Sequence, residues 1–406
     1  MVSRKIVACN NTQKYAETPK QRPQAKTRRR IYGKTPYASN PPDRTARNLK
    51  NMKHLKKNTF CFAVSIIFCV VGFQSVDARY TADFLTLGVG ARALAMGGAG
   101  TTLSDNAYAP YWNPAGLGQL TRYEVSFMHS TLNGEDAYDF LSYIHPLKKR
   151  GAIGISWLRV GVDDIPITSL PVVSRPVGPA NRPEVVGSFN NTDNAFLLAH
   201  GWRLPTFRGI DLHLGGTLKL LYMSGYRSTN AIGGGADIGI IAMTNPEKPH
   251  QLRLGLQASD TFTTKLYWNT PPPSADLTSH TETILPQLKV GIATIHALPI
   301  FRSTLIFALD TYIQNRGGSG TKSDVEAPQG SPVELHAGAE WTLFDLLALR
   351  IGMAERSGSL ESVRQLTAGV GLNLRFVTGA GAGLDYAFAN HPALGGSHRI
   401  SLRIRF

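Results

Sequence analysis

From residue 79 onward the chain contains no run of about 18 apolar residues of the kind that marks a membrane helix. It repeats a different signal, stretches of about ten residues in which apolar and polar side chains alternate. The last stretch is the clearest: Ile400, Leu402, Ile404 and Phe406 take one parity, and Arg399, Ser401, Arg403 and Arg405 the other. A period of two sends these sets to opposite faces of an extended strand. The same alternation sets Leu212, Leu214, Leu218 and Leu220 against Asp211, His213, Thr217 and Lys219. Leu252, Leu254 and Leu256 stand against Arg253 and Gln257, and Val333, Leu335, Trp341 and Leu343 against Glu334, His336, Glu340 and Thr342. Leu366, Val370, Leu372, Leu374 and Phe376 oppose Thr367, Asn373 and Arg375. A soluble sandwich would alternate too, but the second face here is Gly-rich and charged, which suits a wet lumen better than a dry core.

Fourteen such segments run from residue 123 to the end, starting near Tyr123, Ala137, Gly151, Asp193, Ile210, Gly234, Gln251, Gln287, Ser303, Val333, Leu347, Gln365, Thr378 and Ser397. Counted from the first, every second connection is short: 147–150, 205–209, 245–250, 298–302, 344–346 and the step at 376–377. The long insertions, 162–192, 260–286 and 314–332, all fall among the others. Short turns at one end and long loops at the other are the habit of outer-membrane barrels, whose backbone groups are satisfied between strands. The expectation is therefore an all-β transmembrane antiparallel barrel of about fourteen strands over residues 123–406. Tyr143, Trp157, Trp202, Tyr222, Trp341 and Phe388 would sit in interfacial girdles, although aromatics are common in any β protein.

The net charge of +15 over 406 residues raises the question of a nucleic-acid partner. Residues 1–78 hold 16 of the 43 basic side chains and 3 of the 28 acidic ones, so the rest of the chain is nearly neutral. Within 52–78, Lys53, Lys56 and Lys57 precede a continuous apolar stretch over 59–73 and then Val76-Asp77-Ala78, the layout of a cleaved signal peptide. Residues 1–51 are polar, basic and without apolar period; we read them as a misassigned start or a disordered extension, and expect no nucleic-acid partner. Cys9, Cys61 and Cys69 all precede the expected cleavage point, which leaves the mature chain without disulfides or thiolate ligands.

Between signal and first strand, residues 79–122 carry Gly90-Ala91-Arg92-Ala93-Leu94-Ala95-Met96-Gly97-Gly98-Ala99-Gly100, then Ser104-Asp105-Asn106-Ala107-Tyr108 and Tyr111-Trp112-Asn113-Pro114-Ala115-Gly116-Leu117. A phosphate loop is set aside because no GK[ST] follows the glycines. Asn113-Pro114-Ala115 also reads as a plain turn. The string resembles the N-terminal region of the PorV/PorQ family, a branch of the wider long-chain fatty acid transporter (FadL) family of barrels. The resemblance implies that Gly97, Gly98, Gly100, Asn113, Pro114 and Ala115 belong to a hatch folded into the lumen.

The inward charges Lys219, Arg253, Lys289, Glu334, Glu340, Arg350, Arg375, Arg399 and Arg403 could line a solute path, or pair with one another and with the plug. The histidines lack metal spacing and no serine has a G-x-S-x-G setting, so neither catalysis, a cofactor nor a metal is expected. Two functions stay open. The resemblance implies a PorV-type role in type IX secretion in a Gram-negative outer membrane, with secretion components and cargo C-terminal domains as partners. A FadL-like transporter of hydrophobic small molecules is the alternative, and apolar residues in 162–192 (Ile165, Ile167, Leu170, Val172, Val173) keep it open. Phe406 ends the final strand as an assembly signal for the barrel assembly machinery. Arginine at Leu402 should be costly on a face turned to outer-membrane lipid, and arginine at Ser401 mild.

Overall fold

The computed structural model describes residues 82–132, 136–244, 248–269, 280–314, 333–357, 363–375, 380–391 and 395–406. The readings of residues 1–51 and 52–78, the connection 315–332 and the side chain of Arg375 lie outside these.

Among the described residues sixteen strands form: β1 (Glu124–Leu132), β2 (Asp136–Pro146), β3 (Ala152–Ser169), β4 (Glu184–Arg203), β5 (Ile210–Ser224), β6 (Asn230–Thr244), β7 (His250–Ser259), β8 (Thr264–Asn269), β9 (Thr281–Ile284), β10 (Gln287–Leu298), β11 (Ser303–Gln314), β12 (Val333–Leu343), β13 (Leu347–Ser357), β14 (Val363–Arg375), β15 (Gly381–His391) and β16 (Gly395–Arg405). Fourteen of them close a ring of antiparallel neighbours; β8 and β9 are a hairpin added to the wall. The ring closes where β1 meets β16, from Glu124 opposite Arg405 to Thr131 opposite His398. Closure removes the exposed edges that an open sheet would leave.

The alternation decides which way each strand turns. Ile400, Leu402 and Ile404 are 53%, 42% and 43% exposed, whereas Ser401 is 2% exposed and Arg399 6%. Phe127, Leu141, Ile155, Phe196, Leu218, Leu254, Ile292, Phe307, Trp341, Ile351, Leu372 and Leu384 are likewise exposed on their strands. The barrel is thus apolar outside, and its charged residues turn inward together with small residues and a set of large apolar side chains on β1 to β5.

Two insertions are strands where the sequence reads as loop. β3 and β4 stay paired past the rim from Ile165 opposite Phe189 to Ser169 opposite Glu184, although β2 stops pairing at Gly161 and β5 at Thr192. β4 therefore begins at Glu184, well before Asp193. Pro166 disguises the ribbon in the sequence, yet a strand whose outer edge is unpaired has no ladder donor to lose. In the second insertion, the outer end of β6 (Asn230 to Gly234) pairs with β8, while β7 takes over only from Ile238 opposite Ala258.

Candidate functional site: the barrel interior and the segment filling it

Residues 82–120 run inside the ring as four short turns, Asp83–Thr86, Ala91–Ala95, Ala109–Trp112 and Pro114–Gln119. Gly88, Gly97 and Pro114 follow closely on the first three turns, and Gly97 and Gly98 take φ of +70° and +82°, where a side chain is strained. Small residues let this backbone press against the wall. A methyl on Gly97 would lie 2.4 Å from the Met353 carbonyl oxygen, and one on Gly100 2.4 Å from the Trp112 ring. The wall answers with glycines of its own, directly paired across strands: Gly201, Gly215 and Gly239 on β4, β5 and β6, Gly255 and Gly291 on β7 and β10, Gly338 and Gly352 on β12 and β13. A methyl on Gly215 would meet the Pro114 carbonyl carbon at 2.2 Å, and one on Gly352 the Gly97 nitrogen at 2.1 Å.

Asn113 ties the turn and the wall together. Its Oδ1 accepts from the Ala115 nitrogen at 3.1 Å, and its Nδ2 donates to the Thr101 carbonyl at 3.0 Å and toward the Leu256 carbonyl on β7 at 3.3 Å. Pro114 and Ala115 are buried. Thr367 donates to the Ala95 carbonyl and accepts from the Gly97 nitrogen, each at 3.0 Å. Ser401 accepts from the Ala91 nitrogen at 2.8 Å. That last bond overturns the expectation of a mild arginine at Ser401, because the side chain points at the inner segment and not at open water.

Between Phe84 and Leu120 the segment has two charged residues, Arg92 and Asp105, neither singled out from the sequence. They are the middle of an ionic chain across the lumen. Arg253 on β7 lies 3.4 Å from Asp105, Asp105 2.8 Å from Arg92, and Arg92 2.7 Å from Glu340 on β12. Glu340 lies 2.6 Å from Arg350 on β13, which donates at 2.7 Å to Asp385 on β15. Burial works against the Asp105 carboxylate, but the guanidinium groups of Arg92 and Arg253 outweigh it and hold its pKa well below the usual carboxylate range. The signal that could have marked the pair was in plain view: two opposite charges in a segment otherwise free of them.

The other inward charges are mostly paired as well. Lys219 bridges Asp237 at 2.8 Å and Asp260 at 2.6 Å, and Glu334 meets Arg356 at 3.1 Å and His336 at 3.6 Å. Arg403 donates to the Asn373 amide oxygen at 3.0 Å, whereas Arg399 is buried and its Nε has no hydrogen-bond partner. Among the described residues, no group of three or more His, Cys, Asp or Glu side chains could hold a metal ion. At the short-turn end a cavity of about 790 Å³ opens beneath the ionic chain, lined by Arg92, Asp105, Glu340, Arg350, Arg403 and Arg405. Toward the long connections the interior changes character. Met128, Tyr138, Phe140, Leu158, Leu197 and Leu221 on β1 to β5 form one buried apolar cluster with Phe84, Tyr108 and Trp112 of the inner segment. Polar groups there satisfy backbone: Tyr138 donates to the Gly88 carbonyl at 2.8 Å, Tyr111 to Leu85 at 2.6 Å and Trp112 to Val89 at 2.8 Å.

No protein-family model matches the chain, and no curated protein is similar to it in sequence. Solved structures similar to it include the CymD monoaromatic hydrocarbon channel, at 11% identity over 79% of this chain and 97% of that one, with a TM-score of 0.48. The toluene transporter TbuX of Ralstonia pickettii follows at 11% identity over 78% and 97%, TM-score 0.44, and a Pseudomonas aeruginosa FadL homologue at 11% over 82% and 99%, TM-score 0.44. At such distances the fold rests on the strand ladder itself: a closed, fourteen-stranded antiparallel β-barrel with a chain segment in its interior.

Proposed function

We propose that this protein spans the bacterial outer membrane and passes hydrophobic small molecules across it. The observation that carries the reading is the apolar half of the interior. A porin keeps its lumen polar because its solutes travel in water. Here Phe140, Leu158, Leu197 and Leu221 turn inward and form one buried cluster with Phe84 and Trp112 of the inner segment. Pockets for small apolar molecules are built this way, from apolar and aromatic walls with few polar groups. The test is retention of an environment-sensitive naphthyl fluorophore by the purified barrel, and its uptake by cells carrying the protein. Blue-shifted, saturable emission is expected; emission no greater than with a water-filled porin would refute the proposal.

The membrane setting has its own test. Leu402→Arg places a guanidinium on the outward apolar face and should cost roughly 2–4 kcal/mol if it lies at mid-bilayer depth. Urea titration of barrels folded into lipid vesicles measures it, and a cost below about 0.5 kcal/mol would mean that this face does not meet hydrocarbon. Phe406 is exposed, stacks on Tyr123 with ring centroids 5.7 Å apart, and donates its nitrogen to the Tyr123 carbonyl. We assign it as the end of the signal read by the barrel assembly machinery. Its deletion should lower the heat-modifiable, inserted fraction of the protein, while insertion at the normal level would remove the assignment.

A second reading, a PorV-type part in type IX secretion, is supported by the string over residues 90–117 and by the ribbon of β3 and β4. Both long edges of that ribbon are unpaired beyond the rim, and Val173, Val185 and Val186 are exposed on or beside it. Unpaired edges of this kind can receive an extended peptide. Pull-down of the detergent-solubilised barrel separates the two readings: recovery of secreted proteins sharing a C-terminal domain, together with secretion components, favours the second.

A further inference from the structure

The cavity of about 790 Å³ at the short-turn end is bordered by five guanidinium groups that arrive on separate elements. Arg92 comes from the inner segment, Arg122 from just before β1, Arg350 from β13, and Arg403 and Arg405 from one face of β16. Four carboxylates border it as well, but donors already occupy them. Asp105 accepts from Arg92 on one oxygen and Arg253 on the other, and Glu340 accepts from Arg92 on Oε1 and from Arg92 and Arg350 on Oε2. Glu124 takes the Ala107 nitrogen on one oxygen and Arg405 on the other, while Asp345 takes Arg302. Arg403 stands outside this pairing. It is half-buried, donates to the Asn373 amide oxygen at 3.0 Å and, among the described residues, forms no ion pair. A methyl on Gly383, directly opposite on β15, would lie 2.8 Å from its Nη2, so the guanidinium lies over bare backbone. Its remaining N–H donors face a cavity in which the acids are spent.

We infer that this cavity binds a small, water-soluble phosphate-bearing molecule entering from the short-turn end, with Arg403 as its principal contact. A guanidinium fork suits carboxylate and phosphate alike. Placement separates the two: a carboxylate offers both oxygens along one edge, whereas a phosphate presents oxygens on every side and can meet donors set on separate walls. The volume lies within the range of small-molecule sites. The site is polar and lies across the ionic chain from the apolar cluster, so it stands whether or not apolar molecules pass through the barrel.

Because Arg403 has no carboxylate to strand, Arg403→Gln removes the contact without leaving a charge unpaired. Equilibrium dialysis of the detergent-solubilised barrel against radiolabelled inorganic pyrophosphate is the test. Saturable binding of about one pyrophosphate per barrel is expected, half-complete at or below about 1 mM, the affinity that two charge-assisted hydrogen bonds supply. Arg403→Gln should weaken it about tenfold or more, the loss of one such bond. Arg208→Gln, on an exposed turn at the same end but outside the cavity, should leave it unchanged, and the heat-modifiable form of both variants reports that they fold. Malonate, with the charge but not the tetrahedral shape, should displace pyrophosphate less well than inorganic phosphate does. Absence of saturable binding below about 10 mM, a loss as large from Arg208→Gln, or full binding by Arg403→Gln overturns the site. Malonate displacing as well as phosphate overturns the ligand class.

Discussion

Glu340→Ala should destabilise the barrel by roughly 3–5 kcal/mol, the range seen when one member of a buried ion pair is removed and its partner left behind. Glu340 is 4% exposed and receives both Arg92, at 2.7 and 2.9 Å, and Arg350, at 2.6 Å. Without it Arg92 keeps Asp105 and Arg350 keeps Asp385, but each guanidinium loses its main acceptor, that of Arg350 on a side chain only 2% exposed. Because Arg92 holds the inner segment to the wall, the same change should raise the ion conductance of single barrels in planar bilayers. Arg92→Met combined with Glu340→Met should cost less than the sum of the two single changes, since both members of that pair leave together while Asp105 keeps Arg253 and Arg350 keeps Asp385. Urea unfolding in vesicles and single-channel recording check this. A loss under about 1 kcal/mol with unaltered conductance would mean that the ionic chain does not retain the segment.

Gly215→Ala and Gly216→Ala, one residue apart, should behave oppositely. At Gly215 the new methyl would stand 2.2 Å from the Pro114 carbonyl carbon and 2.3 Å from the Ala115 nitrogen, both backbone atoms that cannot swing away. At Gly216 the nearest atom is the Asp237 carbonyl oxygen at 3.7 Å, an ordinary contact. Overpacking a tight interior costs about 1–3 kcal/mol and more where backbone must move, so Gly215→Ala is expected at or above the top of that range. Gly216→Ala should be neutral or stabilise by up to about 1 kcal/mol, because alanine loses less backbone entropy than glycine in a strand. Vesicle unfolding of the two variants, with protease sensitivity of the inner segment as the second readout, decides the matter. Similar stability for both would show that the segment does not bear on β5.

The two faces of the wall are legible in the sequence because each strand states them locally: Arg399 and Ile400 are neighbours in the chain and opposites in solvent. Turn lengths carry the same information, since a two-sided barrel must alternate its ends. The inner segment follows a different logic. Its partners are remote, with Ala91 bonded to Ser401 and Arg92 to Glu340, so no local pattern in residues 82–120 points to them. Arginine at Ser401 looked harmless for that reason: parity says inward, but only the fold says that inward is occupied. The ribbon of β3 and β4 was hidden by Pro166, whose missing donor is harmless on an edge. Arg92 and Asp105 are the instructive omission. Their isolation among alanines and glycines was visible, while their role depends on a carboxylate and a guanidinium from strands far along the chain.

The seam between β1 and β16 joins the start of the wall to its end, with the inner segment immediately preceding β1. Closing that seam brings Ser401, on the last strand, onto Ala91, which lies just ahead of the first, so the ring and the segment inside it are fastened at one place. The partners of that fastening are as far apart in the chain as the wall allows, and contacts of such wide separation in sequence slow the acquisition of the native state.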